Sequence, residues 1–113
     1  MEYTDVFFRS FVRLLTKRTW LYTEMIVDAT LLHNEDSDRF LWFPHEQHPI
    51  ACQLGGSTPA HLADASRIVA RYGYDEINLN CGCPRYDLDA WETETNMKRP
   101  VIGLQVQDAL ERR

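Results

Sequence analysis

A turn rich in amides and thiols is the part of this sequence with the clearest capacity for chemistry: Asn78-Leu79-Asn80-Cys81-Gly82-Cys83-Pro84. It ends segment 76–80, whose composition predicts a β-strand. The carboxyl end of a parallel strand is where α/β folds build active sites. A thiol with an ordinary pKa of about 8.5 is mostly protonated at neutral pH and can act as a proton donor. A pair of half-buried structural cysteines remains the alternative.

Gln53 is the second candidate, because it is a polar residue near the end of the apolar segment Ile50-Ala51-Cys52-Gln53-Leu54. A buried amide needs partners, so Gln53 bonds either to the backbone or to a ligand. Gly55-Gly56-Ser57 follows, before a helix, and resembles an anion cradle. It lacks both glycine-rich phosphate motifs, so a plain strand-to-helix turn is favoured.

No metal site is predicted. Cys81 and Cys83 form a lone C-x-C pair without the second matched pair that zinc sites use. His45 and His48 are three residues apart and lie between two prolines, whereas the helical metalloprotease motif spaces its histidines by four. These histidines are therefore predicted to be solvated loop residues. The odd count of three cysteines indicates a reducing compartment rather than a disulfide framework.

Apolar periodicity predicts an amphipathic helix over 5–18, started by Thr4 or Asp5. Strands are predicted over 20–26, 50–54 and 76–80, and a short helical turn over 27–32. A helix capped by Ser57 or Thr58 is predicted to end at Gly73. Leu104 to Arg113 is expected to form a short helix. The phenylalanines, Trp20 and Trp42 are most simply core residues, with a contact surface as the alternative for Trp42.

The three strand starts lie about 26 to 29 residues apart, which is the βα rhythm of a parallel α/β fold. A (β/α)₈ barrel of ~250 residues holds about 30 residues per unit, so these 113 residues hold about three units. The predicted fold is an incomplete (β/α)₈ TIM-barrel segment.

Charge and hydropathy limit the possible partners. The net charge is −5, from 12 basic and 17 acidic residues, and does not provide the basic face typical of nucleic-acid binding. Any such role must rest on a local site or on further protein. No apolar run approaches the ~18 residues of a membrane span. The acidic start of the sequence does not resemble a signal peptide. The expected location is the cytoplasm, with an organelle left open.

Three segments together resemble the tRNA-dihydrouridine synthases, and the A-type members in particular: Leu21-Tyr22-Thr23-Glu24-Met25, His48 to Ser57, and Gly73 to Pro84. Their order, spacing and placement at βα junctions all agree with that family. The resemblance covers about residues 1–84. It divides the chain into a barrel segment that binds FMN, 1–84, and an unmatched tail, 85–113.

The resemblance implies a flavin-dependent TIM barrel with a smaller helical domain. In that family reduced FMN, recharged by NADPH, gives a hydride to C6 of a uracil in tRNA, and a cysteine protonates C5. The proton donor matches Cys83, and a tRNA-contacting position matches Asn80. Flavin-contacting positions match Gln53 and Met1. Cys81 stands where a small apolar residue is usual and is interpreted as structural.

Departures from the family keep other hypotheses open. Arg85 replaces a small polar residue, and the family's later strands and helical domain have no counterpart in 85–113. The chain is therefore expected to be a truncated or mis-spliced product, inactive in isolation and prone to self-association through exposed strand edges. An inactive association module is the alternative function. Another FMN-barrel oxidoreductase is disfavoured by the Asn-x-Asn-x-Gly-Cys-Pro turn.

Overall fold

The computed structural model describes residues 3–81 and the backbone of residues 103–105. Met1 and Cys83 lie outside the described residues. So does the predicted tail, 85–113, apart from the backbone of 103–105. The helices are α1 (Val6–Leu15), α2 (Asp28–His33), α3 (Asp38–Leu41) and α4 (Pro59–Ala70), with a 3₁₀ turn at His45–Gln47. The strands are β1 (Leu21–Tyr22), β2 (Ile26–Val27), β3 (Ile50–Gly55), β4 (Glu76–Leu79) and β5 (Gly103–Gln105).

The sheet is built around β3, which pairs in parallel with β4 on one side and with β1 and β2 on the other. The strand predicted over 20–26 is thus two short pieces of one edge. The α/β class with parallel strands is confirmed. Among the described residues the sheet stays open, as expected for a barrel segment.

β5 corrects one prediction about the tail. It pairs antiparallel with β4, with Leu104 opposite Ile77. The helix predicted from Leu104 therefore does not begin there, because backbone pairing with β4 holds this part of the chain extended. Residues 106–113, the remainder of that predicted helix, lie outside the described residues.

The hydrophobic core lies on one face of β3. Ile50, Cys52 and Leu54 are at most 1% exposed, and they cluster with the fully buried Ala65 and Val69 of α4. Because side chains alternate along a strand, Ala51, Gln53 and Gly55 point to the opposite face. A fully buried Leu or Ile side chain stabilises the fold by about 1.5–3 kcal/mol. This face of β3 anchors the strands that carry the candidate site.

The limits of α4 follow the local sequence. Pro59 occupies the first turn, where its missing N–H costs no hydrogen bond. Gly73 has φ +77°, a left-handed conformation that glycine adopts readily, and it turns the chain after the helix. Thr58 takes the N-cap position without a side-chain cap bond. The predicted start of this helix is confirmed without the side-chain cap, whereas the helix ends at Ala70, three residues before the predicted stop at Gly73.

Helix α1 begins as predicted, because Asp5 Oδ1 accepts a hydrogen bond from the Phe8 N–H at 2.8 Å. The side of α1 that faces inward is the opposite of the expected one, because the sequence predicts its phenylalanines to be core residues. Arg9 and Arg13 are buried, at 6% and 4% exposure. The exposed residues of the helix are mainly its large apolar ones: Phe7, Phe8, Phe11, Leu14 and Leu15.

Hydrogen bonding explains why the arginines of α1 face inward. Arg13 donates to the carbonyls of Thr16, Thr19, Gln47 and Pro49 at 2.8–3.1 Å. Arg9 Nε donates to Oε1 of the fully buried Gln47 at 2.9 Å. Burial lowers the pKa of Arg9 from its ordinary value. The buried side of α1 therefore makes polar contacts with Gln47 and Pro49, just before β3.

The aromatic residues divide between core and surface. Phe40 and Phe43 pack against the core. Trp20 and Trp42 are 42% and 59% exposed, so their assignment to the core, like that of the α1 phenylalanines, is wrong. Among residues 3–81, no helix is long and apolar enough to cross a membrane.

Candidate functional site

Three side-chain amides lie together at the carboxyl ends of β3 and β4. The parallel register places Gln53 opposite Asn78, so both side chains lie on the same face of the sheet. Asn80 follows two residues later and shares that face. All three are half-buried, on the side of the sheet away from α4. We call Gln53, Asn78 and Asn80 the amide row.

The amide row is connected by its own hydrogen bonds. Asn80 Nδ2 donates to Gln53 Oε1 at 3.1 Å. Gln53 Nε2 in turn donates to Asn78 Oδ1 at 2.9 Å. The structure thus brings together two predicted site residues, Gln53 and Asn80, while their roles stay predictions. It adds Asn78, a member of the predicted motif to which the sequence assigns no role of its own, although Asn78 and Asn80 are separated by a single apolar residue at the end of the strand.

The backbone N–H groups of Gln53 and Asn80 hold the amide row to neighbouring segments of the chain. The Gln53 N–H donates to Thr23 Oγ1 at 2.9 Å, and that hydroxyl donates to the Glu24 carbonyl at 2.8 Å. The Asn80 N–H donates to the Leu54 carbonyl at 2.8 Å. Residues 23–25, between the two edge pieces β1 and β2, therefore support Gln53 through a side-chain hydroxyl.

The amide row fits the edge of a flat heterocycle. The pyrimidine edge of a flavin, like that of uracil, alternates carbonyl acceptors with an N–H donor, and amides supply both complementary groups. One N–H of Gln53 Nε2 bonds to Asn78, and the other has no partner within the described part of the chain. The residues present are thus suited to a flavin ring lying over this face.

The cysteines differ in their suitability for chemistry. Cys52 lies on the helix-facing side of β3, where burial raises the pKa of its thiol to about 12. It is therefore an inert core residue. Cys81 is half-buried, and its thiol lies 3.8 Å from the Leu79 carbonyl. Cys83, the predicted proton donor, lies outside the described residues.

The Gly55-Gly56-Ser57 turn does not favour an anion. A Cβ added at Gly56 would collide with the carboxylate of Asp28, a buried residue at the start of α2. A Cβ at Gly55 would lie 2.7 Å from Met25 Sδ. The glycines therefore permit close packing, and a carboxylate next to the turn repels a phosphate. The plain strand-to-helix turn is the interpretation that the structure supports.

The remaining polar candidates make structural contacts. His48 Nδ1 lies 2.6 Å from Asp75 Oδ2, which also accepts from the Ile50 N–H. Glu24 Oε1 accepts from the backbone N–H groups of Tyr3 and Thr4. In residues 3–81 no group of three or more His, Cys, Asp or Glu side chains is arranged to hold a metal ion.

A cleft of about 600 Å³ lies beside the start of α1 and the β2 edge, and its lining includes Thr23, whose hydroxyl bonds to the Gln53 N–H. Its lining includes Arg9, Glu24, Phe40 and Trp42. Arg9 and Glu24 of this lining already bond to protein groups. The amide row remains the better candidate site.

Comparison with known proteins identifies the family of this chain. Residues 1–90 match the model of the family described as dihydrouridine synthase (Dus). Over 84 residues, the chain is 54% identical to a tRNA-dihydrouridine(20/20a) synthase of Pseudomonas putida and 54% identical to one of Synechocystis. A synthase of the same name from Escherichia coli is 46% identical over 84 residues.

These matches cover 74% of this chain but 25% of each relative. The chain thus spans about a quarter of the length of the curated relatives it matches. The family match extends over β1 to β4 and includes the amide row, Cys83 and Pro84. This chain belongs to the dihydrouridine synthase family.

Proposed function

We propose that this chain serves in the reduction of uridine to dihydrouridine in tRNA. The amide row carries the proposal, because it places complementary hydrogen-bonding groups on one face of the sheet and ends three residues before Cys83 in the sequence. Bound over this face, reduced FMN would supply a hydride to the uracil ring, with NADPH as the source of electrons. FMN and NADPH are thus the proposed cofactor and reductant, and tRNA is the proposed partner.

Gln53 and Met1 are the proposed flavin contacts. Gln53 is held at both ends of its amide, so its position is defined before a ligand arrives. Such preorganisation reduces the entropy that binding must cost. Met1, outside the described residues, is assigned by its place in the family pattern alone.

Asn80 is the proposed tRNA contact. It bonds to Gln53 at 3.1 Å, so it lies directly beside the proposed flavin contact. A uracil stacked against the flavin would therefore meet Asn80 as the neighbouring polar group. With a net charge of −5, the chain offers little general attraction for phosphates, and further protein is proposed to supply most of the affinity for tRNA.

Cys83 is the proposed proton donor. Hydride addition at C6 of uracil develops negative charge at C5, and a protonated thiol close to C5 can neutralise it. Cys83 is three residues beyond Asn80 and four beyond the end of β4 in the sequence. Cys52 does not compete for this role, because it is buried on the opposite face of β3. The odd number of cysteines supports a reducing compartment, and the cytoplasm is proposed.

A chimera tests the proposal directly. The matching 84-residue segment of the Pseudomonas putida synthase is replaced by the segment of this chain. The purified chimera should be yellow and should form dihydrouridine in unmodified tRNA with NADPH. Cys83→Ala should retain FMN and oxidise NADPH, while the rate of dihydrouridine formation falls by roughly 10²–10⁴-fold, the usual contribution of a positioned proton donor.

Cys81→Ala is the matched control, since it removes a thiol two residues before Cys83 in the sequence. Its dihydrouridine yield should stay close to that of the unmodified chimera. A normal yield from Cys83→Ala would contradict the proton-donor assignment. Loss of activity in Cys81→Ala alone would transfer that role to Cys81. A colourless, inactive chimera would overturn the proposed function.

An association role is the second candidate function. The observation that favours it is the apolar face of α1, on which Phe7, Leu14 and Leu15 are 73–80% exposed. Large apolar patches on a surface commonly mark sites of protein contact. Replacement of Phe11 and Leu15 by Gln, with the oligomeric state as the readout, tests it.

A further inference from the structure

We propose that Asn78 is a positioning residue for flavin binding, acting through Gln53. Its Oδ1 atom accepts one N–H of the Gln53 amide, and this contact directs the second N–H toward a ring carbonyl of the flavin. The inference rests on the proposed function, because it concerns the same face of the sheet. It assigns to Asn78 a role in ligand binding without direct contact to the ligand.

The first support is geometric. Parallel pairing places Gln53 and Asn78 opposite each other, so their side chains meet across neighbouring strands. The Gln53 Nε2 to Asn78 Oδ1 distance is 2.9 Å, an ordinary length for an amide hydrogen bond. A residue at position 78 without an acceptor would leave that N–H of Gln53 unpaired on a half-buried face.

The second support is the opposite polarity of the two contacts on Gln53. Asn78 accepts from its nitrogen, and Asn80 donates to its oxygen at 3.1 Å. Rotating the Gln53 amide by 180° would set nitrogen against nitrogen and oxygen against oxygen. With its two neighbours in these orientations, one of the two orientations of the Gln53 amide is strongly favoured.

The orientation matters because the two ends of an amide are recognised differently. With the nitrogen end fixed by Asn78, Gln53 has one N–H that is unused within residues 3–81 and available on the open face. A carbonyl oxygen of the flavin pyrimidine ring is a matching acceptor. If the amide were free to rotate, it would also present its oxygen, which repels a carbonyl.

A purely structural role for Asn78 makes a different prediction. Backbone pairing already joins β3 and β4 over four registered residue pairs, so a side-chain bridge adds little to the sheet itself. If Asn78 only braced the strands, its loss would weaken flavin binding whether or not Gln53 was present. A double-mutant cycle separates the two roles, because residues that act through one contact are not additive.

The experiment titrates FMN into the full ¹⁵N-labelled chain and follows the side-chain amide signals by NMR, which measures Kd values into the millimolar range. Asn78→Leu removes the acceptor, and Asn78→Asp keeps an oxygen at the same position. We expect Asn78→Leu to raise the Kd for FMN about fivefold, the loss that one ordinary hydrogen bond represents. Asn78→Asp should restore the Kd to within about twofold. In a Gln53→Ala background, Asn78→Leu should change the Kd by less than about twofold.

Three outcomes would overturn the inference. An unchanged Kd in Asn78→Leu would mean that Gln53 is oriented without Asn78. Equal weakening in the presence and absence of Gln53 would make Asn78 a brace only. Absence of any FMN-induced shift in the Gln53 amide signals would remove both residues from flavin binding. The dihydrouridine yield of the chimera is measured separately, so failure of the positioning role and failure of the proposed function are distinguishable.

Discussion

Helices α1 and α4 pack against the rest of the molecule in opposite ways. Helix α4 buries small apolar side chains, Ala65 and Val69, against the helix-facing side of β3. Helix α1 buries Arg9 and Arg13 and leaves its large apolar side chains in solvent. The first contact excludes water from hydrocarbon surface, whereas the second replaces water at backbone carbonyls by guanidinium groups.

This difference shows which part of the molecule anchors the candidate site. The strands that carry the amide row are supported by apolar burial with α4, a term that scales with the area removed from water. The contact of α1 depends on charge-assisted hydrogen bonds to carbonyls, and their net contribution is smaller because water competes for the same groups. The apolar face of α1 remains available for another surface.

The largest effect on stability is expected where β3 packs against α4, which we call the α4 half. Leu54, 1% exposed, belongs to the core that β3 forms with α4. Leu54→Ala should lower the free energy of unfolding by about 2–5 kcal/mol, through lost apolar burial and the cavity left behind. Urea denaturation followed by circular dichroism measures the change. Leu14→Ala is the matched control on α1, where the side chain is 75% exposed and the expected change is below about 0.5 kcal/mol. Equal effects at the two positions would contradict the conclusion that apolar burial stabilises the contact of α4 and not that of α1.

A smaller effect on stability is expected where α1 makes its polar contacts with residues 47–49, which we call the α1 half. Arg13→Met keeps an apolar stem but removes the donors to four carbonyls. The loss should be about 1–3 kcal/mol, measured by the same denaturation. Part of it is offset, because Arg13 Nε is buried without a hydrogen-bond partner in residues 3–81. Arg67→Met is the control: Arg67 pairs with Asp64 on the exposed side of α4, and its loss should cost less than about 0.5 kcal/mol. If Arg13→Met lowered the free energy of unfolding no more than the control, the hydrogen bonds from Arg13 to the four carbonyls would not stabilise the fold.

The α4 half is also the half that local sequence signals describe best. Pro59 and Gly73 have few conformational alternatives, so they mark the two limits of the helical segment with a physical reason. The apolar run of β3 likewise follows from residue type. The register that unites Gln53 with Asn78 and Asn80 depends on pairing between strands distant in the chain, and a single sequence does not reveal it.

In the α1 half, periodicity located the helix but not the side that faces inward. An amphipathic pattern identifies two faces, and burial of the apolar one is the ordinary outcome. Here Gln47 and the carbonyls at the start of β3 supply partners for Arg9 and Arg13, and those partners lie more than 30 residues away in the chain. The division of segment 20–26 into β1 and β2 has a similar origin, since the Thr23 hydroxyl bonds to the Gln53 N–H.

The smallest effect on stability, and a large one on association, is expected on the exposed face of α1. Phe11 and Leu15 are 57% and 73% exposed and lie one helical turn apart. Replacing both by Gln leaves the net charge at −5 and keeps residues that favour helices. We expect the free energy of unfolding to change by less than about 0.5 kcal/mol, because little apolar surface is uncovered.

Association should respond differently, because burying a Phe or Leu side chain at an interface is worth about 1.5–3 kcal/mol. Sedimentation velocity over a range of concentrations should show the unmodified chain above its monomer mass of 13.3 kDa. The double variant should move toward that mass, with an association constant lowered at least about tenfold. Ala60→Gln with Ala63→Gln places the same two side chains on the exposed side of α4 and should leave association unchanged. A chain that is monomeric before any substitution would show that the apolar face of α1 does not drive self-association, and equal loss in both double variants would place the interface elsewhere.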